Sequence, residues 1–148
     1  TRPKLETLSA LEELVMVGYP IGLWDSENNL PIFRRGYTAS HPAIDFNENG
    51  IGVVDMACFP GSSGSPIYIL NENGYSDKNG NTCLGAKRII LIGILYAGPQ
   101  YNAQGELIVT TIPTKQKVQT ATPIMTNLGY YIKANELQEF HEYIKNNV

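Results

Sequence analysis

Short runs of apolar, often β-branched residues alternate with turn-forming residues along most of the chain. This spacing is typical of an antiparallel all-β barrel or sandwich, and it does not fit a chain in which strands and helices alternate. Asn-Gly pairs at 49–50, 73–74 and 79–80 separate some of the runs and predict type I′ hairpin turns that face solvent. The predicted strands are residues 14–19, 31–38, 51–56, 66–70, 88–96, 107–112 and 129–132.

The end of the chain has a different pattern. Leu137, Phe140 and either Tyr143 or Ile144 share one face at helical spacing, and Asn135 is placed to cap the first turn. Residues 134–147 are therefore predicted to form one C-terminal helix. Residues 5–14 have a helix-like composition but are few, so they predict only a short turn before the first strand.

Composition limits the class of protein. The 148 residues are 43% hydrophobic and 17% charged, against a usual charged share of about 25%, which supplies enough apolar material for one packed domain. No apolar run approaches the roughly 20 residues of a membrane helix, so no membrane span is expected. The chain begins with Thr1-Arg2-Pro3 instead of Met, so we expect that a preceding segment has been removed or left out.

Charge and cysteine content argue against two kinds of partner. The formal charge is −3 and no basic cluster exceeds two residues, so binding of nucleic acid along an extended groove is not expected. Cys58 and Cys83 match no zinc-ligand spacing and are too few for a disulfide framework. We therefore expect reduced cysteines and no metal site.

A turn rich in small residues, 55–66, carries the most informative chemistry. Ser63 lies between Gly61 and Gly64, and these glycines allow a tight bend in which a substrate carbonyl meets the exposed N–H groups of Gly61 and Ser63. A serine hydroxyl becomes a useful nucleophile only when a histidine base reaches it and an acid orients that histidine. A Gly/Ser loop without any chemistry is the alternative interpretation.

The same turn follows an apolar strand and leads directly into another strand. In this context Gly61-Ser-Ser-Gly-Ser-Pro66 resembles the nucleophile segment of trypsin-like (chymotrypsin-fold) serine peptidases, in its bacterial form. Further segments resemble the C-terminal barrel of that family in the same order: residues 15–20 and 35–40 its first two strands, 93–98 the strand along its specificity pocket, and 129–134 with the helix its last strand and closing helix. The resemblance spans nearly all 148 residues. It implies a single domain, a six- to seven-stranded antiparallel Greek-key barrel.

Carried over to this chain, the resemblance implies that Ser63 is the nucleophile of peptide-bond hydrolysis through an acyl-enzyme. It also implies that the N–H groups of Gly61 and Ser63 form the oxyanion hole, that substrate adds as a strand along residues 96–98, and that no metal or organic cofactor takes part. The residues implied to bind substrate are Ala57, Cys58, Phe59, Tyr96, Ala97, Gly98 and Gly129.

The charge of the implied specificity pocket depends on the register of one strand. No acid falls near Ala57, where the resemblance puts the pocket floor, so an uncharged side chain is the expected occupant. A gap of one or two residues would instead bring Asp55 closer to the floor. An inward or hydrogen-bonded strand position is the alternative for that carboxylate.

The chain departs from the family pattern in two respects. Ser62 stands where the family often has an Asp that pairs with a new N-terminal ammonium, so activation by that ion pair is not expected. The family's catalytic His and Asp belong to an N-terminal barrel, which we expect to lie outside this chain. We interpret His41 as a polar turn residue and His141 as part of the polar side of the helix, and assign neither to catalysis.

Two partners are expected, because the resemblance implies a peptidase whose catalytic His and Asp lie outside this chain. They are a peptide or protein substrate and an N-terminal barrel supplied by the parent chain or by another chain, so the isolated chain is expected to be nearly inactive. Two other functions fit the same residues. A protease-like barrel without catalysis could capture extended peptides along residues 96–98, or an exposed half-interface could dock a partner barrel and give the chain a structural role.

Overall fold

The structure is a computed structural model that describes residues 5–47, 50–106 and 119–147. A 3-10 turn at Leu5–Thr7 precedes the first strand, as the sequence predicted, and a second lies at Pro20–Gly22. The strands and the helix of the described residues are β1 Glu13–Gly18, β2 Ile32–Thr38, β3 Ile51–Met56, β4 Pro66–Asn71, β5 Gly74–Ser76, β6 Thr82–Leu84, β7 Arg88–Ala97, β8 Gln100–Glu106, β9 Gln119–Met125, β10 Leu128–Lys133 and α1 Glu136–Asn147.

Six strands close into an antiparallel barrel in the order β1-β2-β3-β10-β7-β4. Because β4 pairs with β1, the strands β4-β1-β2-β3 have the order of a Greek key, in which the fourth strand returns beside the first. The predicted all-β class, the six-stranded barrel and the C-terminal helix are confirmed. In the described part of the chain two hairpins lie outside the barrel, β5-β6 and β8-β9. Their strands were not predicted, although a hairpin turn was predicted at residues 79–80, within the β5-β6 loop. The predicted strand 107–112 lies outside the described residues.

Alternate residues of the barrel strands point inward and form one hydrophobic core. Tyr131 in β10 is the largest fully buried residue that the structure describes. Its ring lies against Gly52 of β3 and Gly93 of β7, where an added Cβ would overlap ring atoms, so the two glycines make room for it. The other buried members of the core are Leu5, Leu8, Leu14, Met16, Val54, Met56, Cys58, Ile67, Ile69, Ile92 and Leu95.

A buried ion pair joins the segment before β1 to β7. Arg88 Nη2 donates to Glu12 Oε2 over 2.5 Å, and the two side chains are only 10% and 7% exposed. The Arg88 guanidinium also lies 4.2 Å from the ring centroid of Tyr75, which attaches the β5-β6 hairpin to the barrel.

A second ion pair lies at the end of β10. Lys133 is buried, and its Nζ donates to Asp45 Oδ1 over 2.6 Å. This hydrogen bond holds the pKa of the Asp45 carboxyl below its usual value.

Two of the three predicted Asn-Gly turns can be compared with the structure, and neither is of type I′. A type I′ turn needs positive φ at both central residues, but only Gly80 (φ +82°) has it at 79–80 and only Gly74 (φ +129°) at 73–74. In the β5-β6 loop the Asp77 carboxylate decides the conformation, because its Oδ1 accepts the N–H groups of Asn79 and Asn81, each over 2.9 Å. Residue 49, in the third predicted turn, lies outside the described residues.

The helix begins at Glu136, two residues later than predicted, and Asn135 does not cap it. Within the described part of the chain, the side-chain oxygen of Asn135 is buried without a hydrogen-bond partner. Leu137 N–H bonds instead to the Ala134 carbonyl over 3.3 Å, so the first turn closes through the backbone.

The apolar side of α1 is open to solvent. Phe140 and Tyr143 are each 66% exposed and Ile144 is 43% exposed. The predicted amphipathic face therefore exists, but the described residues do not cover it. Among these residues, we find no helix whose length and apolar character would let it cross a membrane.

Candidate active site

A tight turn begins the segment that carries the candidate nucleophile. Ser62 N–H bonds to the Phe59 carbonyl over 3.0 Å, with Pro60 and Gly61 as the two central residues. Gly61 has φ +82°. A type II turn requires positive φ at the third position, which favours glycine, and proline is common at the second position. The local sequence therefore favours this bend.

A second turn follows without a break. Ser65 N–H bonds to the Ser62 carbonyl over 3.1 Å, and Gly64 at the third position has φ +87°. Ser63 is thus the second residue of this turn, and it is exposed, whereas Ser62 and Ser65 on either side are buried. The two glycines predicted to allow a bend both have the conformation that favours glycine.

Strand β7 holds the second turn in place. Gly64 N–H bonds to the Leu95 carbonyl over 2.8 Å, and Leu95 N–H bonds to the Ser65 carbonyl over 3.0 Å. The ladder between β4 and β7 ends at Ile94, so residues 96–98 are not paired with β4. The backbone along which substrate was predicted to bind therefore runs beside the turn.

Tyr96 lies in a β-bulge next to this turn. Consecutive residues of β10 face Leu95 and Ala97, which makes Tyr96 the extra residue of β7. Its carbonyl accepts a hydrogen bond from Ser63 Oγ over 3.2 Å. The predicted nucleophile and the predicted substrate-binding strand are therefore in direct contact.

The backbone N–H groups of Gly61 and Ser63 bond to no carbonyl of the described residues. Both residues belong to the exposed part of the turn. Unpaired amide donors that flank an exposed hydroxyl are the components that an oxyanion hole requires.

A cavity of about 270 Å³ adjoins Ser63. None of the described residues that line it carries a charged side chain, and burial raises the pKa of the Cys58 thiol, which keeps that wall neutral. A cavity of this size is large enough for one side chain of a bound peptide. It is lined by four predicted substrate-binding residues, Cys58, Phe59, Ala97 and Gly98, and by Pro60, Ser63, Leu95 and Gln100.

The other three predicted wall residues do not line this cavity. The Ala57 carbonyl accepts a hydrogen bond from the Arg34 side chain. Gly129 packs directly against Cys58, because a Cβ added there would overlap Cys58 Sγ. Its lack of a side chain therefore makes room for the Cys58 thiol.

Tyr96, the third of these residues, lines a separate cavity of about 240 Å³. Phe46 and Tyr130 line the same cavity, and their rings stack with centroids 6.2 Å apart. Asp55, the carboxylate that a shifted register would bring to the pocket, is exposed on β3 and lines neither cavity.

A cavity of about 200 Å³ lies against the other part of the same turn. Gly61, Ser63 and Gly64 line it together with the end of β1 and the start of β4. Since Ser63 lines both this cavity and the larger one, a chain bound across Ser63 would find a separate depression for each of two side chains.

Arg34 is a residue of the site that the sequence analysis did not identify. Its Nη1 donates to the Ala57 carbonyl over 2.6 Å and to Ser62 Oγ over 2.8 Å. The alternation of β2 would have indicated it, because Arg34 shares the inner side of the strand with the buried Thr38, whereas the neighbouring Arg35 is exposed.

Neither histidine of the sequence contacts Ser63 among the interactions of the described residues. His41 Nδ1 accepts the N–H of Ala43 over 3.1 Å, which is the role of a polar turn residue. His141 is exposed on α1. The described residues also contain no group of three or more His, Cys, Asp or Glu side chains placed to hold a metal ion.

Comparison with protein-family models, with curated proteins and with solved structures gives no match. The interpretation of the site therefore depends on its geometry and on the resemblance of its sequence motif.

Proposed function

We propose that this chain is the C-terminal barrel of a trypsin-like serine endopeptidase and that Ser63 is its nucleophile. The observation that supports this most strongly is the double turn, in which an exposed Ser63 lines two cavities and the N–H groups of Gly61 and Ser63 bond to no carbonyl in the described part of the chain. A Gly/Ser loop without chemistry gives no reason for this combination.

The proposed reaction begins with attack of Ser63 Oγ on the carbonyl carbon of a peptide bond, while the hydroxyl proton passes to a general base. The carbonyl oxygen becomes an oxyanion that accepts hydrogen bonds from the N–H groups of Gly61 and Ser63. The base then gives its proton to the leaving amine, and water hydrolyses the acyl-enzyme by the same route. Each oxyanion donor contributes about 10²–10³ to kcat in enzymes of this kind.

Substrate binding follows from the free edge of β7. An extended peptide would pair with the backbone of residues 96–98, where β4 no longer does. The side chain before the scissile bond would enter the neutral cavity of about 270 Å³. An uncharged residue is therefore the preferred occupant.

The general base and its acid come from outside this chain in our proposal. The sequence holds two histidines, and both are accounted for without Ser63. The Ser63 hydroxyl donates to the Tyr96 carbonyl and to no histidine of the described residues. An N-terminal barrel of the parent chain or of another chain is the proposed source.

A second candidate function has one observation in its favour. The exposed apolar side chains Phe140, Tyr143 and Ile144 of α1 are suited to cover a partner. A domain that only docks a partner barrel would use this face without any reaction at Ser63. A domain that captures peptides without cleaving them would need the β7 edge alone.

Labelling with a fluorophosphonate separates these functions. In the protein assembled with its base, we expect the reagent to add to Ser63, Ser63→Ala to abolish the adduct and Ser76→Ala, which removes an exposed hydroxyl of β5, to retain it. The isolated chain should react little. Failure of the assembled protein to react would refute the peptidase proposal, and rapid labelling of the isolated chain would show that the base lies within it.

A further inference from the structure

Arg34 connects both ends of the segment that contains the first turn. One nitrogen, Nη1, donates to the Ala57 carbonyl and to Ser62 Oγ. The residues between these contacts include Cys58 of the cavity wall and Gly61, one of the unpaired donors. The guanidinium therefore links the two ends of residues 57–62.

The surroundings of Arg34 are unfavourable for a cation. Its Nε and Nη2 are buried and have no hydrogen-bond partner among the described residues. Desolvation lowers the pKa of the guanidinium, and the side chain pairs with no carboxylate among these residues. Arg34 as a whole is half-buried, and a half-buried cation that no carboxylate of the described residues compensates costs desolvation energy, so packing alone does not explain its presence.

Close packing around the turn leaves little freedom for other arrangements. Gly18 of β1 lies against both Ser65 and Arg34, because a Cβ added there would overlap Ser65 Oγ and lie 3.6 Å from Arg34 Nη2. The turn is thus packed between the backbone of Gly18 in β1 and the guanidinium of Arg34. Loss of the guanidinium would free the segment that precedes Ser63.

We propose that Arg34 is a positioning residue that holds the Gly61 and Ser63 amides in the arrangement of an oxyanion hole, an inference that rests on the proposed function. It acts through Ser62, the residue at which the resembling family often has an Asp. In this chain the neutral hydroxyl of Ser62 accepts a hydrogen bond from the Arg34 guanidinium. The turn is therefore held by a side chain of the same chain, and it needs no ion pair with a new N-terminal ammonium.

The test is the rate of fluorophosphonate addition to Ser63 in the assembled protein. We expect Arg34→Ala to lower this rate at least tenfold. The matched control is Arg35→Ala, which removes an exposed guanidinium, paired with Glu13, from the adjacent position of the same strand. Its rate should stay within twofold of the wild-type rate.

Chemical rescue distinguishes positioning from a general loss of structure. Ethylguanidinium at millimolar concentration should restore the labelling rate of Arg34→Ala with saturation, whereas ethylurea, which is neutral and similar in shape, should not. If Arg34→Ala does not fold, Arg34→Met keeps the apolar stem and serves as the folded variant, with the same expected loss of rate. A wild-type rate in either folded variant, or equal rescue by ethylurea, would overturn the inference.

Amide NMR of this chain separates failure of the inference from failure of the proposed function. Arg34→Met should shift the Gly61 and Ser63 amide signals and Arg35→Met should not. If the assembled wild-type protein does not react with the fluorophosphonate, the peptidase proposal and the catalytic effect of Arg34 are both refuted. Shifted amide signals would in that case still show that Arg34 holds the turn. Unshifted signals would show that Arg34 does not position these amides.

Discussion

Replacing Tyr131 by Phe tests the account of the barrel core through a change in pH dependence. Burial, with a smaller contribution from Asp45, raises the pKa of Tyr131 from 10.0 to about 12. The neutral phenol is therefore favoured in the folded state, while the unfolded chain ionises above pH 10. The stability due to this shift is complete below pH 10 and is lost as the pH rises to about 12.

The shift gives the size of the effect. Two pKa units correspond to about 2.7 kcal/mol when both states have titrated, and about 1.4 kcal/mol is lost by about pH 11. Tyr131→Phe has no phenol to ionise and also removes a buried hydroxyl without a partner among the described residues. An unsatisfied buried group of this kind costs about 1–3 kcal/mol, so the variant should be at least as stable as the wild type at neutral pH.

Urea denaturation followed by circular dichroism at pH 8 and pH 11 measures both effects. The stability advantage of Tyr131→Phe should grow by about 1.4 kcal/mol between the two pH values. Tyr130→Phe is the matched control, since it removes a hydroxyl from the next residue of β10, whose ring stacks on Phe46. If the advantage of Tyr131→Phe is the same at both pH values, Tyr131 does not ionise with a raised pKa in the folded protein.

Three further substitutions have defined outcomes in the same urea assay. Arg88→Met should destabilise the protein by about 3–5 kcal/mol because it leaves the buried Glu12 carboxylate unpaired, and a loss below about 1 kcal/mol, the range of a surface pair, would show that the pair is solvated. Gly129→Ala should lower the free energy of unfolding by about 1–3 kcal/mol, because the added Cβ overpacks the core. Adding Cys58→Ala, which removes the overlapping sulfur, should recover part of this loss, and no recovery would contradict the contact between Gly129 and Cys58. Ile21→Gly should raise stability by about 1 kcal/mol, since an isoleucine at φ +48° is strained and its side chain is exposed, and a loss of stability would show that the isoleucine is not strained.

The barrel strands were predictable because each buries one apolar face. Strand β3 has the predicted bounds, Ile51–Met56, and β4 and β7 each extend only one residue further than predicted. The β8-β9 hairpin was missed because Gln100–Glu106 lacks an apolar alternation, and because Pro123 in β9 argues against a strand except at an edge. Both strands of a two-stranded hairpin are edges, so the proline is tolerated.

The candidate site was predictable as far as it depends on local backbone. Gly61 and Gly64 specify the two turns through their positive φ angles, so the position of Ser63 follows from the sequence around it. The role of Arg34 depends on the closure of the barrel, which brings residues 23 and 28 positions away along the chain, Ala57 and Ser62, to its guanidinium. Adjacent arginines on a strand are usually interpreted as exposed charge. Only the alternation of side chains along β2 distinguishes Arg34, on the inner side, from Arg35, on the outer side.

The most direct measurement is a crystal structure of the assembled protein after reaction with a fluorophosphonate. We expect the phosphorus on Ser63 Oγ, with the phosphoryl oxygen about 2.7–3.1 Å from the amide nitrogens of Gly61 and Ser63. An adduct on another residue, or a phosphoryl oxygen on Ser63 that points away from both amides, would contradict the assignment of this turn as a site of acyl transfer.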